Sequence, residues 1–250
     1  IIHNSKFLNL IYRRPSYTNA AKIILIFTIF YLLFTILKFW YADTLFSRGE
    51  RSSEAGNPGR AYNYLSDATF LNPGEPFYLS ELSYNSASAA LVISDNDATL
   101  SAQLKEEAIS SIEQVLRENP RNTSYFRTAI RTYFELSMLD PTFTKKTIEV
   151  LDKTISLAPT DPKLYYNKAI VLGQVDQIDE AIDTLKKAIE LKPNYRDAYF
   201  ALALFYFDQE NEKQAVETMN IVLKLIPNDP EALEQMNDWG KQGIATQSAK

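Results

Sequence analysis

The sequence is poor in groups that do chemistry. It has 250 residues, no cysteine and one histidine, His3. That excludes disulfides, thiolate zinc sites and cysteine nucleophiles, and it removes most histidine-based triads and metal sites. No glycine-rich phosphate loop is present among the seven glycines. The stretch DNDATLSAQLKE offers Asp95, Asp97, Thr99 and Glu106 as oxygen ligands at calcium-loop spacing. Its sixth place is Leu100, where the tight calcium turn needs glycine. A solvated inter-helix loop is the better reading. Arg127 and Arg131 stand four residues apart, so one helix face would carry both. The pair could hold an anionic group, and it equally suits an ordinary solvated face. Asn122 heads an NTS sequon, meaningful only where the transferase exists. No acidic pair is marked out by an apolar pocket. The expectation for these residues is no catalysis, no cofactor and no metal.

The elements that position these groups come in two solvents. KIILIFTIFYLLFTILKFWY carries charge only at Lys22 and Lys38. With its flanks it reaches the roughly 20 residues that span a bilayer as a helix. Lys38 can snorkel, and Trp40 and Tyr41 suit the interfacial belt. A transmembrane helix is expected over 21–42, after a basic cytoplasmic flank over 1–20. Lys6, Arg13, Arg14 and Lys22 before the span outnumber Arg48, Arg51 and Arg60 after it. That bias places the N-terminal flank in the cytoplasm and the rest outside. The chain begins at Ile1, which reads as processing or as a piece of something longer. The net charge is −5 with no basic stripe, so nucleic acid is not an expected partner.

Beyond the span, Pro159, Pro193 and Pro227 recur every 34 residues, each after an apolar helical ending. Overlaying the units pairs Ala169 with Ala203, Ala181 with Ala215, and Leu185 with Met219. This resembles the tetratricopeptide repeat, a 34-residue helix–turn–helix unit with small residues where its helices cross. Lys168 stands where the family often has leucine. Asp176 and Glu210 occupy the inter-helix turn where glycine is usual. Earlier units are looser. Ala61, Leu65 and Ala68 fit one helix B, with Leu45 and Gly49 on the helix A before it, starting near Ala42. Ala108, Ile112 and Val115 fit a second, whose unit is 13 residues longer, the excess falling around VISDNDATLSAQ. A third is longer by five near LDPTFT. The resemblance implies an all-α solenoid of about five repeats over 43–240, with a capping helix from Pro230 and a flexible tail over 241–250.

Such a solenoid binds on the concave face lined by its A helices. The family's pattern implies a groove of Phe126, Ile130, Tyr133, Lys163, Tyr166, Ile170, Gln174, Asp197, Phe200 and Leu204. Aromatic rings beside polar groups suit an extended peptide or a sugar. Phe200 and Phe207 suit packing on the next repeat or the cap as well. Asn167 matches a position used by members that clamp a carboxylate, but basic partners do not align with it on neighbouring helices. Expected partners are a protein or peptide, a glycan, and the lipid bilayer through 21–42. A scaffold at a bacterial inner membrane, its repeats outside the cytoplasm, is the leading reading. The stretch from Ala42 to Leu82 is also similar to the C-terminal end of O-antigen ligase or polymerase-like membrane proteins. That resemblance implies the alternative, a non-catalytic tail of a membrane glycosyltransferase.

Overall fold

The structure, a computed structural model, describes residues 16–241. Most of the basic flank and all but the first residue of the tail lie outside that range. Eleven helices are described: α1 Ser16–Glu54, α2 Pro58–Leu71, α3 Pro76–Ile93, α4 Ala98–Glu118, α5 Thr123–Leu139, α6 Phe143–Leu157, α7 Pro162–Gln174, α8 Ile178–Leu191, α9 Arg196–Asp208, α10 Glu212–Leu225 and α11 Pro230–Lys241. They form two compact units, divided within α3 after Tyr78.

In the first unit, α1 is a single helix of 39 residues. The apolar stretch and the first repeat's helix A were expected as consecutive elements. They are one uninterrupted rod, because no proline falls within it and its one glycine, Gly49, is locked inside the helix by packing. The rod stops just before Gly56, which turns left-handed at φ 70°. Side chains from Ile23 to Leu37 are exposed on every face. This is the one described helix long and apolar enough to cross a membrane, with a mean hydropathy of 2.4 over its most apolar window. Past Tyr41 the same rod becomes one-sided, burying Ala42, Leu45 and Phe46. Gly49 is the crossing point with α2. A Cβ there would lie 2.6 Å from Leu65 Cγ, so only glycine lets the two helices meet. Phe46 stacks on Tyr78 at 4.7 Å, and the Tyr78 hydroxyl donates to Asp43.

The second unit repeats one hairpin. Each B helix ends on a residue before proline: Asn119, Ala158, Lys192 and Ile226, all with extended-side ψ values from 60° to 93°. Proline pushes its predecessor out of the helical region, which ends the helix there. The small residues lie where the overlay put them. Ala108, Ala169, Ala181, Ala203 and Ala215 are all fully buried, at 0% exposure. The 13 extra residues differ from expectation. They lengthen α3 and α4 instead of forming a long loop, leaving only 94–97 between them. Asp97 caps α4 by accepting from Leu100 N at 2.9 Å, and Ser101 Oγ donates to Ala90 O at 2.8 Å.

The A-to-B turns share one hydrogen-bond pattern. Gln177 N donates to Leu172 O at 3.0 Å and Asp176 N to Gly173 O at 3.2 Å. Asn211 and Glu210 repeat this on Tyr206 and Phe207, and Asn57 and Gly56 repeat it on Ser52 and Ser53. The motif needs a left-handed residue just past the helix end. Gly56 supplies it without strain, whereas Asp176 and Glu210 are held at φ 60°. A side chain in that region costs about 1–2 kcal/mol. Glu210→Gly is therefore expected to stabilise the protein by roughly 0.5–1 kcal/mol after the added chain entropy of glycine. Urea unfolding of the two proteins side by side checks this.

Candidate functional site

The α5 and α7 helices start alike. Asn122 accepts from Ser124 N at 3.0 Å and Asp161 from Lys163 N at 3.0 Å, each two residues on. Aligning these caps shifts the third repeat by one residue relative to the family-based overlay. Arg127, not Phe126, then stands opposite Tyr166, and Tyr133 stands opposite the core residue Leu172. Burial agrees with that register. Phe126 and Tyr133 are 6% and 1% exposed and belong to the core with Ile112, Leu136 and Leu151. Burial also pushes the Tyr133 phenol up, with Glu113 adding to the shift.

What the register turns outward is cationic. Arg127, Ile130, Arg131, Asp161, Lys163, Leu164 and Asn167 line a depression of about 200 Å³. Each arginine is held from a neighbouring element. Arg127 Nη2 lies 2.8 Å from Asp161 Oδ2, the carboxylate that also caps α7. Arg131 lies 3.7 Å from Glu81 Oε2, and its guanidinium sits 3.7 Å over the Tyr84 ring. Both arginine side chains remain nearly half exposed, at 46% and 49%. Two guanidiniums and an ammonium against the carboxylates of Asp161 and Glu81 leave the rim with one net positive charge. The basic partners that sequence alignment did not place near Asn167 are therefore on its own rim. The overlay's register kept Arg127 and Arg131 apart from Asn167, and matching the two caps brings them together.

The other expected groove residues divide. Tyr166 is half-buried and lies 5.4 Å from Tyr195, both rings covering one another in part. Burial raises the Tyr166 phenol, and the charge of Asp197 adds to it. Burial likewise pushes Tyr195 up to about 12. Ile170 packs on the core around Ala169 and Leu185, and Leu204 on the cluster around Trp239. Phe200 lies under the Arg196 guanidinium at 4.6 Å. Gln174 and Asp197 are exposed. Gly173, which the family's pattern would also turn to the groove, is a packing position: a Cβ would meet the Phe205 ring at 2.5 Å. Phe207 stacks on Trp239 of the cap at 4.9 Å.

Lys168 has a structural role. It bridges Asp152 at 3.0 Å and Glu180 at 3.1 Å, tying α6, α7 and α8. Burial opposes its charge, but the two carboxylates outweigh it and hold the ammonium above its ordinary value. Arg196 does the same for the cap. It donates to Asp229 through Nε (2.8 Å) and Nη2 (2.7 Å), while Asp229 accepts from Ala232 N at 3.0 Å to start α11. The Arg196 hydrogen bonds hold the Asp229 carboxyl below its ordinary value of 3.8. A depressed carboxyl stabilises the fold fully above the unfolded value, and that contribution is lost as pH falls through the folded one. Asp229→Asn is therefore expected to be less stable at pH 7 and to show a smaller further loss between pH 4 and pH 2. Thermal unfolding across that range checks it.

Two other depressions are described. One of about 430 Å³, lined by Glu113, Arg117, Lys146, Glu149 and Lys153 over Phe126 and Tyr133, has mixed charge. The other, about 520 Å³ in the first unit, gathers Arg48, Arg51, Arg60 and Tyr64. Arg60 hydrogen-bonds the Tyr64 hydroxyl at 3.4 Å and lowers its phenol. No cluster of His, Cys, Asp and Glu suited to a metal occurs among the described residues.

Comparison with known proteins agrees with this architecture. Tetratricopeptide-repeat family models match residues 174–234 and 150–183. No curated protein matches the chain. Among solved structures, residues 41 to the end of MamA from Desulfovibrio magneticus RS-1 superpose with a TM-score of 0.55 at 19% identity, over 76% of this chain and 97% of that one. A thermophilic TPR protein of Thermus thermophilus gives 0.55 at 18% identity, over 78% and 96%. YrrB, described as a TPR protein with an unusual peptide-binding site, gives 0.52 at 18% identity, over 77% and 90%. These likenesses lie in the fold. The chain is an all-helical solenoid of tetratricopeptide type carrying one long apolar helix at the N-terminal side of its repeats.

Proposed function

We propose that this chain is a non-catalytic, membrane-anchored binding module whose α5–α7 face takes an extended peptide through an acidic group. The observation that carries this reading is the depression where Arg127, Arg131, Lys163 and Asn167 surround the apolar floor of Ile130 and Leu164. A carboxylate there would accept charge-assisted hydrogen bonds from planar guanidiniums, which suit its geometry. The floor would receive an adjacent apolar side chain. A peptide is favoured over a glycan because the rings expected to stack on sugars are engaged: Tyr166 with Tyr195, and Phe200 beneath Arg196. A TPR protein with a peptide-binding site among the structural neighbours is consistent with this choice.

The apolar part of α1 would hold this module at a bilayer, raising its effective concentration for partners on the same surface. The bias of lysine and arginine around the span supports repeats outside the cytoplasm of a bacterial inner membrane. The alternative, a tail of a ligase-like membrane glycosyltransferase, rests on the layout of a span followed by repeats, the basic stretch before the span and the sequence from Ala42 to Leu82. The test uses the full chain in lipid nanodiscs. The double change Arg127→Ala and Lys163→Ala, on the rim, should abolish capture of acidic peptides while helicity is kept. Unchanged capture would sink the groove assignment. In parallel, alkaline carbonate should leave the chain in the membrane pellet, and its release would refute the anchor.

A further inference from the structure

The first unit collects its positive charge in one place. Arg48, Arg51 and Arg60 are all the lysines and arginines between 42 and 78, and all three line one depression of about 520 Å³. Asp43, Glu50, Glu54, Asp67 and Glu75 occupy the same stretch, and none of them enters its wall. Acids are in the majority here, so the exclusion is one of placement and not of composition.

Local rules disfavour these positions unless an anion is present. Arg48 and Arg51 stand one turn apart on α1, where like charges repel. Arg60 is the third residue of α2, at the positive end of the helix dipole, in a first turn with no acid. A bound anion would reverse both penalties. The side chains are also partly set. Arg51 Nε donates to Ser47 O at 3.1 Å. Arg60 Nη2 donates to the Tyr64 hydroxyl at 3.4 Å, and its guanidinium lies 5.7 Å from the centre of that ring. Asn57 caps α2 with its carbonyl oxygen, 3.1 Å from Arg60 N, so its side-chain NH2 is a further donor in the wall.

Three guanidiniums exceed what a carboxylate can use, since one guanidinium fork satisfies its two oxygens. A phosphate monoester brings about 1.5–2 negative charges and three strong acceptor oxygens at neutral pH. We propose that this depression binds a phosphate monoester group, held by Arg48, Arg51 and Arg60 beside the closed end of the α1–α2 hairpin. None of the α5–α7 rim residues takes part. Height bears on the source of the phosphate. Leu65 lies beside Gly49, so Arg60 stands about level with Glu54 on the antiparallel α1. At about 1.5 Å per residue, Arg48 and Arg60 are then roughly 10 and 20 Å beyond Tyr41. A headgroup layer is only about 5–8 Å deep. With Tyr41 at the membrane boundary, a soluble phosphorylated molecule reaches all three arginines, and a lipid headgroup approaches only Arg48.

The probe is glycerol 3-phosphate, titrated calorimetrically into the full chain in phosphatidylcholine nanodiscs. Saturable binding is expected. Arg51→Gln with Arg60→Gln should weaken it by roughly tenfold or more, since one lost charge-assisted hydrogen bond already amounts to about that factor. Arg60→Lys keeps the charge but loses the fork, and should fall between parent and double variant. Arg127→Gln with Arg131→Gln should bind as the parent does. No saturable binding by the parent, equal binding by the Arg51/Arg60 variant at unchanged helicity, or loss in the Arg127/Arg131 variant alone would overturn the site. Discs containing phosphatidic acid, itself a phosphate monoester, are then compared with phosphatidylglycerol discs of matched surface charge. Equal affinity in the two supports a soluble source. Selective loss on phosphatidic acid supports the same phosphate site with a lipid as its source.

Discussion

Trp239→Ala is expected to cost about 3–5 kcal/mol, the usual range for emptying a buried aromatic site. Trp239 is 0% exposed and is the largest fully buried side chain among the described residues. It stacks nearly parallel to Phe207 of α9 and closes the cluster of Ala203, Ala215, Met219, Val222 and Ala232. Without it α11 has only one other buried residue, Ala232, to hold it on the last repeat. In a solenoid each repeat leans on its neighbours, so the loss should begin locally. Amide exchange should accelerate first in α9, α10 and α11, with α5 to α8 still protected. Trp239→Phe separates ring packing from polar effects. The indole N–H has no hydrogen-bond partner, so its removal breaks no bond, and most of the stack persists. That variant should lose less than half as much. A Trp239→Ala protein within about 1 kcal/mol of the parent by urea unfolding would show that the cap is dispensable.

Arg127→Glu combined with Arg131→Glu is expected to weaken acidic-peptide binding by roughly 100-fold or more. Each charge-assisted hydrogen bond contributes about 1.5–3 kcal/mol, and about 1.4 kcal/mol is tenfold in affinity. Stability should change little. Both arginines are nearly half exposed, and such surface pairs contribute about 0–1 kcal/mol each. Reversing the charges sets two carboxylates beside Asp161 and Glu81, so the modest loss that does occur should shrink with added salt. Fluorescence anisotropy with a labelled acidic peptide, at low and high salt, reads the affinity. Equal affinity of parent and variant would place the ligand elsewhere.

Much of this fold was legible because its close crossings demand small residues and its helix ends demand proline. Ala169, Ala181, Ala203 and Ala215 recur at the family's spacing, and each lies at 0% exposure. Less regular units gave less. The longer second unit looked like a loop because Asp95, Asn96 and Asp97 are turn formers. Asp97 instead starts a helix, and Ser101 fastens its first turn to α3. The continuity of α1 was hidden by a change of solvent. Residues on either side of Tyr41 obey different burial rules, so one rod reads as two elements. The candidate rim was legible only in pieces. Arg127 and Arg131 stood out as a pair that could hold an anion and Lys163 as a groove residue, but the family overlay of the third repeat ran one position out. Phe126 then took the place of Arg127, and the pieces were not joined. The caps at Asn122 and Asp161 carry the register correctly, since both accept from the N–H two residues on.

The most direct measurement is site-specific photocrosslinking. A photoreactive side chain replaces Asn167 on the rim, or Lys153 by the mixed-charge depression, in the full chain held in nanodiscs. Each protein is illuminated with a pool of short peptides of varied charge, and the adducts are identified by mass spectrometry. The account predicts adducts at position 167, enriched in peptides bearing an acidic group next to an apolar residue, and few at position 153. Equal labelling at the two positions, or adducts at 167 without acidic enrichment, would contradict it.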